Sequence, residues 1–240
     1  MSRTSEDKTA RRQELARRFA SLWGPRPGPL RPPLFPGRGK AAERLRRLPV
    51  WRRARVVAVM PDEALLQVRV NALADGKTLI AATPGLKQGL IRITPGQVPV
   101  ARRARELTGS ALAGVGKPLR FPRARLEGVD LLVGACLAVD RQGRLLGDGR
   151  GLGDLLWALL GTAGAVRPDT PVAVLAADEQ VVEALPRQTW DLAASLVVTP
   201  TRVIAPGVKQ PPPRLDGLPP RLAKLPLVKG VRALRGGAGG

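Results

Sequence analysis

Two hydrophobic periods run through this chain and divide it into elements. Over residues 3–23, Leu15, Phe19 and Leu22 fall on one stripe with Lys8, Arg11, Arg12 and Arg18 mostly off it, which predicts an amphipathic helix that stops before Pro25. The run from Trp23 to Gly37 then holds six prolines, each without an N–H and with φ fixed, so an extended connector lying on a surface is expected. Helical spacing resumes over 40–49. Beyond it, apolar β-branched runs alternate with helical stretches. Strands are expected over 55–60, 78–83, 129–139, 171–176 and 196–204, and helices over 63–75, 154–160 and 179–185.

Strands that are apolar on both faces, with helices between them, predict an α/β fold: a mostly parallel central sheet with helices on both faces. Ligands of such sheets bind beyond the carboxyl ends of the strands, which points to the loops after Met60, Thr83, Val139 and Ala176. Past Pro206 the pattern ends in PPP at 211–213, Pro219, Pro220 and a final GGAGG, so residues 210–240 are expected to be mostly disordered. The chain thus divides into a folded domain over 1–206 and a basic Pro/Gly-rich tail over 207–240, with no internal repeat.

Composition narrows the chemistry. The 240 residues carry 40 Lys and Arg against 19 Asp and Glu, a net charge of +21, with no His and one Cys. The surplus sits at the ends: residues 1–55 hold 16 basic and 4 acidic side chains and residues 207–240 hold 7 and 1. Without His there is no Ser-His-Asp triad, no Cys-His pair and no Cys/His zinc site. Catalysis has to use carboxylates, Lys, Arg, backbone amides or a hard metal. The lone Cys136 excludes an intrachain disulfide, suits a reducing compartment and is expected as a small core residue; Trp157 is expected in the core or in a pocket wall. No apolar run approaches the roughly 20 residues of a membrane span. The Arg-rich start contains Glu6, Asp7 and Glu14 and lacks an apolar stretch, so no secretory signal is expected, and a cytoplasmic location is.

The most informative stretch is Val139–Leu160, VDRQGRLLGDGRGLGDLLWALL, in which an apolar strand runs into glycines at 147, 149, 151 and 153 and then into a helix. Glycine permits positive φ and lets backbone N–H groups approach an oligophosphate, with the helix N-terminus adding its dipole. Asp154 at the helix start either holds Mg²⁺ or caps the helix. The run is neither a Walker A loop nor a dinucleotide-binding fingerprint.

In order along the chain, VDLLVGACLAVDRQGRLLGDGRGLGD, TPVAVLAADEQVV and WDLAASLVVTPTRVI resemble the 5-formyltetrahydrofolate cyclo-ligase family, in particular its longer methenyltetrahydrofolate synthetase-like branch. Trp51, Ala54, Val57, Pro61, Asp62, Leu73, Gly76, Lys77 and Leu79 extend the likeness, which covers about residues 5–206. The resemblance implies a NagB/RpiA/CoA-transferase-like sheet and an ATP- and Mg²⁺-dependent cyclisation of 5-formyltetrahydrofolate to 5,10-methenyltetrahydrofolate. In that reaction the formyl oxygen attacks the γ-phosphate and the second folate nitrogen then displaces phosphate, a step that asks mainly for positioning and charge neutralisation. It further implies that Lys8, Arg12, Arg144, Gly147, Gly149, Arg150, Gly151 and Gly153 hold ATP, that Asp154 holds the metal, and that Asp62 or Glu63 contacts a reduced folate.

The chain departs from the family pattern at several positions that bear on phosphate affinity and Mg²⁺ coordination. Asp148 stands where a basic residue is usual, Leu145 takes the place of the Arg that here precedes it as Arg144, and Leu152 replaces an aromatic residue. Leu156 replaces an acid, Ala177 a histidine, and the usual HD-x-x-x-D reads WD-x-x-x-S, with Asp191 kept and Ser195 in the second position. A second expectation follows: a catalytically weakened family member that binds RNA or a protein through its basic ends. Its stripe would be Arg11, Arg12, Arg17, Arg18, Arg44, Arg46, Arg47, Arg52, Arg53 and Arg55. The oligomeric state is left open.

Overall fold

The computed structural model describes residues 3–24, 31–86, 89–119 and 128–208, and, further on, Leu215, Leu218, Leu222, Lys224, Leu225, 227–229 and Val231. The first helix, α1 (Arg3–Trp23), forms as its periodicity predicts and ends at Gly24, whose φ is +84°. Its buried stripe differs from the expected one at a single position. Leu15, Phe19 and Trp23, spaced i, i+4, i+8, face Leu137, Ala138, Leu146, Val182 and Leu185, whereas Leu22 is 52% exposed. Phe19 and Trp23 stack with ring centroids 5.0 Å apart. Of the proline run, residues 25–30 lie outside the described residues; over 31–36, Pro33 and Phe35 are buried while Leu34 and Pro36 are exposed.

Short helices α2 (Arg38–Arg47) and α3 (Pro49–Arg53) follow, broken at Leu48 because Pro49 can only start a helix, not continue one. Then come β1 (Val56–Val59), α4 (Leu66–Ala74), β2 (Thr78–Ala82), β3 (Leu90–Ile93), α5 (Arg103–Glu106), β4 (Lys117–Leu119), β5 (Leu131–Ala135), β6 (Ala138–Asp140), β7 (Leu145–Leu146), α6 (Leu152–Thr162), β8 (Val172–Leu175), β9 (Val181–Val182), β10 (Leu196–Val198) and β11 (Val203–Ile204).

Eight strands form one sheet in the order β11-β10-β8-β5-β1-β2-β3-β4. The stretch β10-β8-β5-β1-β2 is parallel throughout, and β11, β3 and β4 add antiparallel edges. Side-chain alternation distributes the strands over two cores. Val57, Val59, Leu79, Ala81, Leu131 and Val133 pack with Ala41 and Leu45 of α2 and Val68 and Ala72 of α4. Val56, Ala58, Ile80, Leu132 and Val172 pack on the other face with Leu155, Leu156, Trp157 and Leu159 of α6. Both faces are therefore covered, as the all-apolar strands require.

Three local expectations are corrected. The strand expected over 129–139 breaks at Cys136 and Leu137, where the chain leaves the large sheet and enters a small one of order β7-β6-β9. The helix expected over 179–185 is a single turn at Asp178–Gln180 followed by β9. One residue explains both: buried Gln180 donates Nε2 to the carbonyls of Cys136 (2.7 Å) and Leu137 (3.1 Å) and accepts the Ala177 N–H (2.8 Å), satisfying the backbone at the break. The strand expected over 196–204 is a hairpin turning at Thr199–Arg202, where the Thr199 N–H donates to the Arg202 carbonyl (2.9 Å). Much of the tail expected to be disordered lies outside the described residues; within it, Leu215, Leu218, Leu222, Val228 and Val231 are buried in the same cluster as α6. Among the described residues no helix is long and apolar enough to cross a membrane.

Candidate active site

A cavity of about 510 Å³ opens at the carboxyl ends of β1, β2 and β5. Its floor is apolar, with Met60, Leu132, Gly134 and Val174, and its rim carries nearly all the charged residues that the sequence nominates. Lys8, Arg12, Asp62, Glu63, Gly147, Gly149, Arg150, Gly151, Gly153 and Asp154 all line it. Two of the four expected loops, after Met60 and after Thr83, contribute directly, and the glycine run arrives beyond β6 and β7. The loop after Ala176 does not: Asp178 accepts hydrogen bonds from the hydroxyls of Thr199 (2.8 Å) and Thr201 (2.7 Å) instead. Its place is taken by Gln188, Trp190, Asp191 and Leu192.

The glycine-rich end is built on α6. Gly149 (φ +88°) and Gly151 (φ +73°) adopt the left-handed turn that brings the chain into the helix, and the first-turn N–H groups of α6 have no partner within the helix. The Arg12 guanidinium lies against this loop: its Nε donates to the Gly147 carbonyl (2.9 Å), and a Cβ on Gly149 would sit 3.4 Å from it. One turn earlier on α1, Lys8 is buried and forms an ion pair with the buried carboxylate of Asp191. Asp191 also accepts the Gln188 N–H at 2.5 Å. Asp154 accepts the Leu192 N–H at 2.6 Å; burial pushes its pKa up, with Asp191 adding to the rise and the Leu192 N–H and Lys8 opposing it. Asp148 and Arg150 form an ion pair within the loop, with Arg150 Nε donating at 2.5 Å.

The opposite wall holds the other candidate acids. Asp62 is pushed up to about pKa 6, first by burial and then by the charge of Asp148, against the pull of Arg69 and Arg150. Glu63 is spent differently: its Oε1 accepts the Gly109 N–H at 2.7 Å, at a position where any side chain would collide with the Pro61 carbonyl 2.2 Å away. Beneath both lies Arg69 of α4, fully buried and absent from the expected site residues. It donates to the carbonyls of Leu107 (2.7 Å), Met60 (2.8 Å) and Asp62 (3.0 Å), tying together the two segments that bound this end of the cavity. Burial lowers its pKa to about 10. A charged residue amid the apolar α4 stripe is the one sequence signal that marks it.

Other nominated residues fall elsewhere. Arg144 does not line the cavity; its guanidinium is held by Asp140 (2.5 Å) and Gln142 (3.1 Å), which close the turn between β6 and β7. Ser195 lies at the amino end of β10 rather than beside Asp191, and its hydroxyl bonds the backbone N–H (2.9 Å) and carbonyl (3.2 Å) of Val172. Ser195 therefore does not line the cavity. Lys77 and Trp51 are structural: Lys77 donates to the Ala54 carbonyl (2.7 Å), and Trp51 donates to Asp75 (2.8 Å). Cys136 lines the cavity but its thiol is buried, which pushes its pKa up, away from nucleophilic use. Within the basic stripe, Arg11 pairs with Glu14, Arg46 with Asp75, and Arg44 donates to the Pro200 carbonyl (2.9 Å).

Among the described residues, no group of three or more His, Cys, Asp or Glu could hold a metal ion. Asp154 and Asp191 both line the cavity, Asp154 accepting the Leu192 N–H and Asp191 paired with Lys8.

Comparison with known proteins bears on the family and the fold. The model of the 5-formyltetrahydrofolate cyclo-ligase family matches residues 4–200. The methenyltetrahydrofolate synthase domain-containing protein of Homo sapiens is 34% identical over 226 residues, 90% of this chain and 58% of that one. Its Mus musculus counterpart is 35% identical over 194 residues, 79% of this chain and 51% of that one. The chain thus spans little more than half the length of these relatives. In fold it is similar to the 5,10-methenyltetrahydrofolate synthetase of Aquifex aeolicus, with a TM-score of 0.53 at 23% identity, covering 82% of this chain and 92% of that one. On these grounds the chain belongs to the 5-formyltetrahydrofolate cyclo-ligase family.

Proposed function

We propose that this protein catalyses the ATP- and Mg²⁺-dependent closure of 5-formyltetrahydrofolate to 5,10-methenyltetrahydrofolate. The observation that carries the proposal is the meeting, in one cavity, of a glycine-rich helix start flanked by Lys8, Arg12 and Arg150 with the half-buried carboxyl of Asp62 on the facing strand end. Bound ATP supplies the phosphoryl group that turns the formyl oxygen into a leaving group. The chain's own contributions are positional and electrostatic. First-turn N–H groups of α6 and Arg12 would hold phosphate oxygens and Asp154 would hold Mg²⁺; Lys8 would join the phosphate contacts on release from Asp191, which would then turn to the metal. Of the two candidate folate acids, Asp62 is the better suited, because Glu63 is occupied by Gly109. An ionised Asp62 accepts N–H donors of a reduced pterin ring, and the apolar floor keeps water from the activated formyl group.

The test is absorbance detection of methenyl product with ATP, Mg²⁺ and 5-formyltetrahydrofolate. Product that requires both ATP and Mg²⁺ is expected. Asp154→Asn should slow its formation by at least about tenfold, removal of one charge-stabilising group at such sites typically costing ~10²-fold or more. Product formed equally without ATP, or unaffected by Asp154→Asn combined with Lys8→Met, refutes the reading. The alternative of an RNA- or protein-binding module is tested by filter binding at two salt concentrations. A steep loss of RNA affinity with salt would support it; no binding at low salt removes the RNA form.

A further inference from the structure

The charge inside the cavity runs against the charge of the whole chain. Against a net +21 overall, the lining, among the described residues, holds four cations, Lys8, Arg12, Arg31 and Arg150, and five carboxylates, Asp62, Glu63, Asp148, Asp154 and Asp191. Asp148 creates the excess, and it sits within the phosphate-binding loop itself. Its carboxylate takes two donors of the kind a phosphate would use: Oδ1 accepts the Arg150 backbone N–H at 2.9 Å and Oδ2 accepts Arg150 Nε at 2.5 Å. The carboxylate side is 14% exposed while the guanidinium is 50% exposed, so the acid is tucked into the loop and the arginine is turned back over it. Asp148 also acts across the cavity, where its charge adds to the rise in the pKa of Asp62.

We propose that Asp148 is an internal anion that competes with the nucleotide phosphates for Arg150 and thereby sets a weak affinity for Mg-ATP. The inference rests on the nucleotide reading above and deepens it. A bound triphosphate has to displace the carboxylate from the guanidinium, and it meets the negative charge that remains. Two consequences follow. Nucleotide binding depends on the divalent cation more than the chain's basic composition suggests, because unaccompanied triphosphate meets the Asp148 carboxylate within the loop and, among the described residues, more lining carboxylates than cations. Neutralising Asp148 releases Arg150, a planar donor fork matched to phosphate.

Asp148→Asn is the informative change, because an amide oxygen still accepts the Arg150 N–H and preserves the turn while the charge and the ion pair go. Mg-ATP binding is measured by calorimetry at fixed free Mg²⁺ for the wild-type protein, D148N, R150Q and the double variant, with thermal melts verifying that each is folded. Expected are a tightening of about tenfold in D148N, near 1.4 kcal/mol, weaker binding than wild type in R150Q, where the Asp148 carboxylate is left without its counter-ion, and loss of most of the D148N gain in the double variant. Unchanged or weaker binding in D148N overturns the proposal. So does a gain that survives in the double variant, since Arg150 is then not what the carboxylate withholds. If neither the wild-type protein nor D148N binds Mg-ATP, the nucleotide reading itself fails. Binding by the wild-type protein with no gain in D148N sinks only the competition.

Discussion

Neutralising Asp62 should make the protein more stable while removing its affinity for folate. Burial and the nearby charge of Asp148 raise this carboxyl from an ordinary 3.8 to about 6, although Arg69 and Arg150 pull the other way. A carboxyl whose folded pKa is raised binds its proton more tightly when folded, so its ionisation costs stability as pH rises from about 4 to about 6, and the cost persists above that window. At 1.36 kcal/mol per unit, the difference between 3.8 and about 6 corresponds to about 3 kcal/mol at pH 7.5. Asp62→Asn mimics the protonated form at every pH. In urea unfolding, the variant and the wild-type protein should be nearly equal at pH 4, diverge through pH 5–6, and differ by about 3 kcal/mol in favour of the variant at pH 7.5. Methenyl product formation should fall sharply in the same variant, because the charge that is costly to folding is the one proposed to hold the pterin N–H groups. A stability difference independent of pH, or a variant less stable at pH 7.5, refutes the argument.

Three further outcomes are expected. Arg69→Met leaves the carbonyls of Met60, Asp62 and Leu107 without their buried donor and should cost about 3 kcal/mol or more in urea unfolding; it should also move the Asp62 ionisation to higher pH, because a charge that lowers it is gone. Ser195→Ala removes a hydrogen bond to the Val172 N–H and should cost about 1 kcal/mol while leaving Mg-ATP affinity unchanged by calorimetry; a weakened affinity would return Ser195 to the site. Gly143→Ala places a Cβ 2.1 Å from the Ala194 carbonyl oxygen at φ +78°, so the backbone has to move, and the melting temperature should fall with a loss of about 2 kcal/mol or more.

Much of the fold was legible because burial on both faces leaves a local mark. Val56–Val59 and Val172–Leu175 are apolar at every position, a pattern that only a strand covered on both sides sustains, and the alternation with helices implied the parallel connection. The edge strands β3 and β4 carried no such mark: β3 is interrupted by Arg92, and β4, three residues long, contains Lys117 and Pro118. The break at Cys136 was invisible because the run stays apolar through it, and only Gln180, 44 positions later, shows where the backbone is satisfied.

The candidate site divides in the same way. The glycines at 147–153 and Asp154 stood out because their chemistry is local: a left-handed turn into a helix start needs small residues wherever the chain goes. By itself, then, the sequence determined the covered parallel sheet, the glycine-rich turn, the absence of histidine chemistry and the family likeness. Only the tertiary structure decided which charges meet. Lys8 finds Asp191 across 183 positions, Arg144 turns to Asp140, and Ser195, only four residues from Asp191, turns to the backbone of Val172 instead of lining the cavity. Hydrophobic periodicity records whether a side chain is buried, but its partner is set by strand order and register, which involve residues far away in the chain.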